Sequence, residues 1–197
     1  MADDRKRLVV GISGASGAIY GVRMLEALSG LGVESHLVVS KAAALTLVEE
    51  AGLSVAEVNA KASVVHKASD IGAAVASGSF RCLGMVVAPC SVRSMGEIAT
   101  GVTSSLLTRA ADVTLKERRP LVLMVRETPL HLGHLRTMAA LAEMGATIAP
   151  PVPAFYAKPQ TLDDLVNHSV GRVLDLFGLD WSGVKRWGRD VGPVGEA

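Results

Sequence analysis

The chain has 197 residues, of which 49% are hydrophobic and 4% aromatic, with a formal net charge of +1 at pH 7. That length suits one domain with a sizeable core, and the near-neutral balance gives no case for nucleic acid or an acidic membrane surface. Cys82 and Cys90 are too few, and too close to apolar strand sequence, for a disulfide framework or a metal site.

Met1-Ala2-Asp3-Asp4-Arg5-Lys6-Arg7 has no signal-type apolar segment behind it, because a short strand begins at once. That strand, Leu8 to Ile12, runs into a glycine-rich turn, Gly11-Ile12-Ser13-Gly14-Ala15-Ser16-Gly17, which opens a helix over Ala18 to Gly30. Glycines admit a ligand close to the backbone, and a helix start offers unpaired N–H groups and a positive dipole end. A phosphate is therefore expected at this turn, with Ser16 as a ligand hydroxyl or as the helix cap. A strand over Glu34 to Val39 follows, then a helix over Lys41 to Ala51. Residues 52–80 carry no clear pattern. Strands are next predicted at Gly84 to Ala88, Leu121 to Val125 and Thr147 to Ile148. Helices are predicted at Met95 to Thr100, Ser104 to Glu117, Leu132 to Met144 and Leu162 to Phe177. The tail from about residue 179 is polar and Gly-rich, with Trp181 and Trp187 as packing anchors.

Strand–helix alternation with continuous apolar strands implies an α/β fold: a three-layer, doubly wound, mostly parallel sheet of Rossmann-like or flavodoxin-like type. One domain over 1–197 is expected. No apolar run is long enough to span a bilayer. The mean hydropathy of +0.36 is high, which points to surface buried in a homo-oligomer. The expected compartment is the cytoplasm.

Sites in such sheets lie at the carboxyl ends of the strands. Four polar segments share that edge: Gly14-Ala15-Ser16, Ser40-Lys41, Cys90-Ser91-Val92-Arg93-Ser94 and Arg126-Glu127. The dinucleotide fingerprint G-x-G-x-x-G is absent, since Gly11, Gly14 and Gly17 are spaced differently and Ser40 stands where an acid would bind ribose. A short-chain reductase would pair a Tyr with a Lys one turn on, but Tyr20 is followed by Met24 and Tyr156 by Gln160. No Gly-Lys-Ser/Thr makes a P-loop. What remains fits a mononucleotide such as FMN. Ser16 and Arg126 would donate to flavin or phosphate oxygens, and Ser40, Ser91 and Ser94 would line the ribityl-phosphate path. Taken singly, each serine reads as a helix cap; as a set at one edge they read as a binding surface.

Longer motifs sharpen this. Gly14-Ala-Ser-Gly-Ala-Ile-Tyr-Gly21, Val38-Val-Ser-Lys-Ala-Ala43, Pro89-Cys-Ser91, Arg109-Ala-Ala-Asp-Val113, Leu115-Lys-Glu-Arg-Arg-Pro-Leu-Val-Leu123, Arg126-Glu-Thr-Pro-Leu130 and Pro153-Ala-Phe-Tyr156 resemble the UbiX flavin prenyltransferase family, from about residue 7 to Trp187. The resemblance implies that a dimethylallyl group passes from dimethylallyl monophosphate to N5 and C6 of reduced FMN. The product, prenylated FMN, serves a UbiD-type decarboxylase. It also implies a metal-independent reaction and a homododecamer. FMN contacts would fall on Gly14, Ala15, Ser16, Ser40, Ser91, Val92, Arg93, Ser94 and Arg126. The prenyl phosphate would meet Tyr156 and Arg172, with Lys116, Arg109 and Glu127 nearby. Glu50, or its neighbour Glu49, matches a family acid. The Val92-Arg93-Ser94 segment departs from other members, which vary between Lys-Thr and Gly-Thr there.

Plainer readings stand beside these. Lys116-Glu117-Arg118-Arg119 ends a predicted helix, where cations complement the dipole whatever the function. Arg172 lies in an amphipathic helix and reaches a phosphate only if that helix crosses the sheet edge or belongs to a neighbouring subunit; the second is expected. His131 and His134 read as capping or surface residues, and His66 and His168 as ordinary. Two rival functions remain: an FMN-dependent cysteine decarboxylase of the related superfamily, and a noncatalytic FMN carrier for a decarboxylase.

Overall fold

Apolar strands need cover on both faces, and the helices between them supply it. The computed structural model describes residues 5–193. Met1 to Asp4, where the chain was read for a signal segment, and the last four residues of the tail lie outside the described residues. The strands are β1 (Arg7–Ile12), β2 (Glu34–Val39), β3 (Val64–His66), β4 (Met85–Cys90), β5 (Leu121–Val125) and β6 (Thr147–Ile148). They form one sheet in the order β3-β2-β1-β4-β5-β6, with every pairing parallel. The order reverses between β1 and β4, so the chain leaves these neighbours in opposite directions and a crevice opens at their carboxyl ends.

The helices are α1 (Ala18–Gly30), α2 (Ala43–Ala51), α3 (Val55–Asn59), α4 (Val92–Thr100), α5 (Leu106–Lys116), α6 (Leu132–Glu143) and α7 (Leu162–Asp175). Side chains alternate along a strand, which splits the core in two. Leu8, Val10 and Ile12 pack with Met24 and Leu25 of α1 and Val170 and Leu174 of α7. Val9, on the other face, packs with Leu107 and Ala110 of α5 and Leu141 of α6.

Two elements within the unread stretch emerge, α3 and β3. The first carries a legible start, because Ser54 and Glu57 form a reciprocal capping box. β3 is a three-residue edge strand, too short to show alternation. α4 begins at Val92 rather than Met95, which moves Val92 and Arg93 from a loop onto its first turn. Ser91 is its cap, accepting from the Ser94 N–H at 3.2 Å.

The crevice is fastened by a residue that the sequence did not mark. Ser13 is fully buried just beyond β1. Its hydroxyl donates to the Pro89 carbonyl at 2.9 Å and accepts from the Ser91 N–H at 2.7 Å. Ser13→Ala leaves the Ser91 N–H without its acceptor, while the Pro89 carbonyl keeps the Ser13 N–H at 3.2 Å, so a loss of about 1–2 kcal/mol is expected. Thermal unfolding checks this, and flavin affinity should fall with it, because Ser91 is tethered through this hydroxyl.

Candidate active site

A cleft of about 310 Å³ opens where the topology places it. It is lined by Gly14, Ser40, Lys41, Ser91, Arg93 and Ser94, and by Glu97, Ser104 and Ser105 from further along the chain. Gly14 is needed for closeness: a Cβ there would stand 2.4 Å from the Ala42 Cβ. The serines are caps and lining together. Ser91 caps α4 and its hydroxyl donates to Ser94 Oγ at 3.2 Å, while Ser40 Oγ accepts from the Ala43 N–H at 3.2 Å. Four chain segments, carrying Ser40, Ser69, Ser91 with Ser94, and Ser104 with Ser105, thus bring hydroxyls to one hollow, the kind of donors that a phosphate and a ribityl chain require.

The α1 terminus departs from expectation. Its cap is Gly17, in the left-handed region at φ 98°, and no side chain from its own turn caps it. The carboxylate of Glu50 takes that place, accepting from Gly17 N–H at 2.7 Å and Ala18 N–H at 3.4 Å. Ser16 bonds to Glu50 and is not the helix cap. The chain's own carboxylate therefore takes the α1 amides read for a phosphate, and the serine-lined cleft lies beside it. Glu50, not Glu49, is the acid turned toward the site.

Partial burial pushes the Glu50 pKa up, but the Gly17 amide, the Ser16 hydroxyl, the Ala18 amide and the charge of Arg126 outweigh it and hold the group below its usual value. A lowered folded-state value adds stability above the unfolded pKa that is lost as pH falls through the folded one. The margin in melting temperature of wild type over Glu50→Gln is thus expected to be constant near neutrality. It should shrink once the pH passes below the ordinary glutamate value of 4.5.

Arg126 follows β5, with its N–H on the Cys90 carbonyl at 3.2 Å, so it stands at the same edge. It acts electrostatically on both Glu50 and Tyr20. Glu127 beside it is half-buried and accepts from the Thr128 N–H at 2.9 Å. Arg93 lies at the rim of the cleft, its side chain 81% exposed and paired with Glu97 at 2.9 Å.

A second group gathers around α7. The Tyr156 hydroxyl lies 3.0 Å from His168 Nε2, and Trp187 packs edge-on against the Tyr156 ring at 5.5 Å. Arg172, one turn beyond His168, lines a groove of about 240 Å³ with Met124 and Pro150 to Val152. Arg172 is largely exposed and pairs with Asp175 at 2.7 Å. Asp175 is also gripped by Arg186 at 2.9 and 3.0 Å, so the tail is pinned beside Arg172. Tyr20 joins the two groups: it bonds to Ser169 and is near Arg126.

Two candidates stand apart. α5 runs back from the cleft against the strand direction, so Lys116, its last residue, is about 15 Å away at the amino edge of the sheet. There it pairs with Glu117. The fold does not bring Lys116 to the site within one chain. Arg109 lies one turn into α5 beyond the cleft wall at Ser105, and Asp112 takes its guanidinium at 2.6 Å.

Residues 1–174 match the family model described as Flavoprotein. A flavin prenyltransferase UbiX of Escherichia coli (strain K12) is 61% identical over 175 residues, 88% of this chain and 93% of that protein. The chain belongs to the UbiX flavin prenyltransferase family. A crystal structure of one UbiX, AnUbiX (PadA1), in complex with FMN and dimethylallyl pyrophosphate, matches with a TM-score of 0.92 at 50% identity, covering 93% of this chain and 97% of that one. A dodecameric FMN-dependent UbiX-like decarboxylase from Escherichia coli O157:H7 matches at 0.90 and 48% identity, covering 92% and 98%.

Membership of the UbiX family and the cleft agree on the flavin. Small residues at Gly14, Ala42 and Ala68 leave its floor open, and hydroxyls ring it. Among the described residues no group of three or more His, Cys, Asp or Glu is placed to hold a metal ion, and no helix is long and apolar enough to cross a membrane. Sequence reading missed Glu97, Ser104 and His168. Glu97 accepts from the Ser104 hydroxyl at 2.6 Å across the reversal after Gly101, a pairing that no local motif announces.

Proposed function

We propose that this chain joins a dimethylallyl group from dimethylallyl monophosphate to N5 and C6 of reduced FMN, and that the prenylated FMN passes to a UbiD-type decarboxylase. The observation that carries this reading is the convergence of Gly14, Ser40, Ser91 and Ser94 on one cleft, with Ser16 and Arg126 at the same sheet edge, in a chain of the UbiX family. When bound, the reduced flavin supplies the nucleophile.

The chain's own residues supply the rest. Breaking an allylic C–O bond leaves a phosphate, whose charge must be met where it develops. Arg172 binds two oxygens in a fork, and Tyr156 adds a short hydrogen bond. Glu50, held ionised by its amide and hydroxyl donors, accepts a proton rather than giving one; Glu127 is the second carboxylate at that edge. Arg172 and Tyr156 sit around α7 on the exposed face, which suits delivery to the cleft of a neighbouring copy. The assembly proposed is therefore a homododecamer. Lys116 and Arg109 stay part of the proposed prenyl-phosphate site, reached within the assembly rather than within one chain. The free thiols Cys82 and Cys90 suit a reducing compartment, and the cytoplasm is the proposed location.

A cysteine decarboxylase of the related superfamily would be expected to carry an Asn-containing segment at the end of this strand, and Pro89-Cys-Ser-Val-Arg-Ser94, across the end of β4, holds no Asn, which disfavours that reading. The test is reconstitution. Anaerobic incubation with reduced FMN and dimethylallyl monophosphate, filtered and added to an apo UbiD-type decarboxylase, is expected to switch that enzyme on. A carrier would transfer only unmodified FMN and leave it silent.

A further inference from the structure

His168 is buried in the middle of α7, yet it is not spent on the core. Its Nε2 faces the Tyr156 hydroxyl at 3.0 Å, and the two rings meet edge to face at 5.4 Å. It lines the groove that Arg172 lines, and on its other side a small cavity of about 40 Å³ shared with Asp164 and Lys185. His168 thus touches Tyr156 with its ring and shares a groove with Arg172. The phenol hangs on a single-turn 3-10 segment, Phe155–Ala157, and is 44% exposed. Such a short, exposed segment does not fix a ring by its own hydrogen bonds; a partner in the rigid helix does.

We propose that His168 is a positioning residue for Tyr156, holding the phenol so that its O–H points to the prenyl phosphate beside Arg172. This rests on the reading of Tyr156 and Arg172 as the phosphate site. The chemistry follows from counting donors. A phenol that donates its one hydrogen to phosphate has only its oxygen left for a neighbour, and so needs a donor there. The Nε2–H tautomer of a neutral imidazole is that donor. Burial and the charge of Arg172 lower the His168 pKa, so no extra charge is required of it. An isoleucine or leucine at this place would leave the phenol free to swing or to turn its O–H inward.

The decisive experiment compares His168→Phe, His168→Gln, Tyr156→Phe, Arg172→Ala and the Tyr156→Phe/His168→Phe double variant in steady-state prenylation of reduced FMN. FMN affinity and melting temperature are measured alongside. His168→Phe is expected to raise KM for dimethylallyl monophosphate about tenfold, the size of one lost buried hydrogen bond, with kcat and FMN affinity little changed. His168→Gln, whose amide N–H reaches a similar point, should restore most of that loss. The double variant should be no worse than Tyr156→Phe alone, because His168 acts through the phenol. Wild-type KM in His168→Phe while Tyr156→Phe raises it, or full additivity in the double variant, overturns the inference. Unchanged KM in both Tyr156→Phe and Arg172→Ala instead overturns the phosphate-site reading beneath it. If His168→Phe does not fold, His168→Asn carries the test, since its shorter amide falls short of Tyr156. A wild-type KM there overturns the inference equally.

Discussion

Gly21→Ala is expected to destabilise the protein by about 2–3 kcal/mol, one of the larger effects of a single methyl group anywhere in this chain. Gly21 lies on the face of α1 that touches the sheet. A Cβ there would stand 2.4 Å from the Ala88 carbonyl oxygen and 2.7 Å from two carbons of Ile12. The carbonyl is strand backbone and cannot turn aside as a side chain would. The helix must lift from the β1–β4 seam, and the glycine-rich turn that it anchors moves with it. Melting temperature should fall by about 5–10 °C, and flavin affinity with it, because Gly14 and Ser16 hang on that helix. Gly30, at the other end of α1, is the control. A Cβ there meets nothing within 4 Å, so Gly30→Ala should raise stability by up to about 1 kcal/mol through helix propensity alone. Equal losses at the two positions would show that the close approach at Gly21 matters little.

Arg172→Ala is expected to have the largest effect on substrate use. A charge-assisted, forked contact to phosphate is worth about 1.5–3 kcal/mol, so kcat/KM for dimethylallyl monophosphate should fall about 10- to 150-fold. The fold should hardly notice. Arg172 is exposed, its pair with Asp175 is of the surface type, and Asp175 keeps two bonds from Arg186. FMN binding should also stay, since the cleft lies elsewhere. A variant that kept wild-type kinetics would remove Arg172 from the site. A variant that lost flavin and melting temperature together would make it structural.

The central sheet could be read because its strands are continuous apolar runs bounded by glycine or polar turns, as in Leu8 to Ile12 and Leu121 to Val125. The site edge could be read because parallel strands share a polarity: every polar segment after a strand must arrive on the same side. β3 escaped because three residues at a sheet edge show no period, and α3 because a five-residue helix buries only Val58. Glu50 was assigned by resemblance alone. Its task at the α1 terminus depends on α2 folding back across the turn, a contact more than thirty residues apart in sequence. The same holds for His168, where the sequence shows a histidine in an amphipathic helix and the fold adds the phenol. The place of Lys116 could not be read from its run, because only the direction of α5 shows that it ends at the far edge within one chain.

The most direct test of the account is the mass of the flavin itself. The protein is incubated without oxygen with reduced FMN and dimethylallyl monophosphate, and the released flavin is weighed by mass spectrometry, with the diphosphate in a parallel arm. A gain of one C5H8 unit with the monophosphate is the predicted result. Unmodified FMN from both arms, released from protein that had bound it tightly, would contradict the account and leave a carrier in its place.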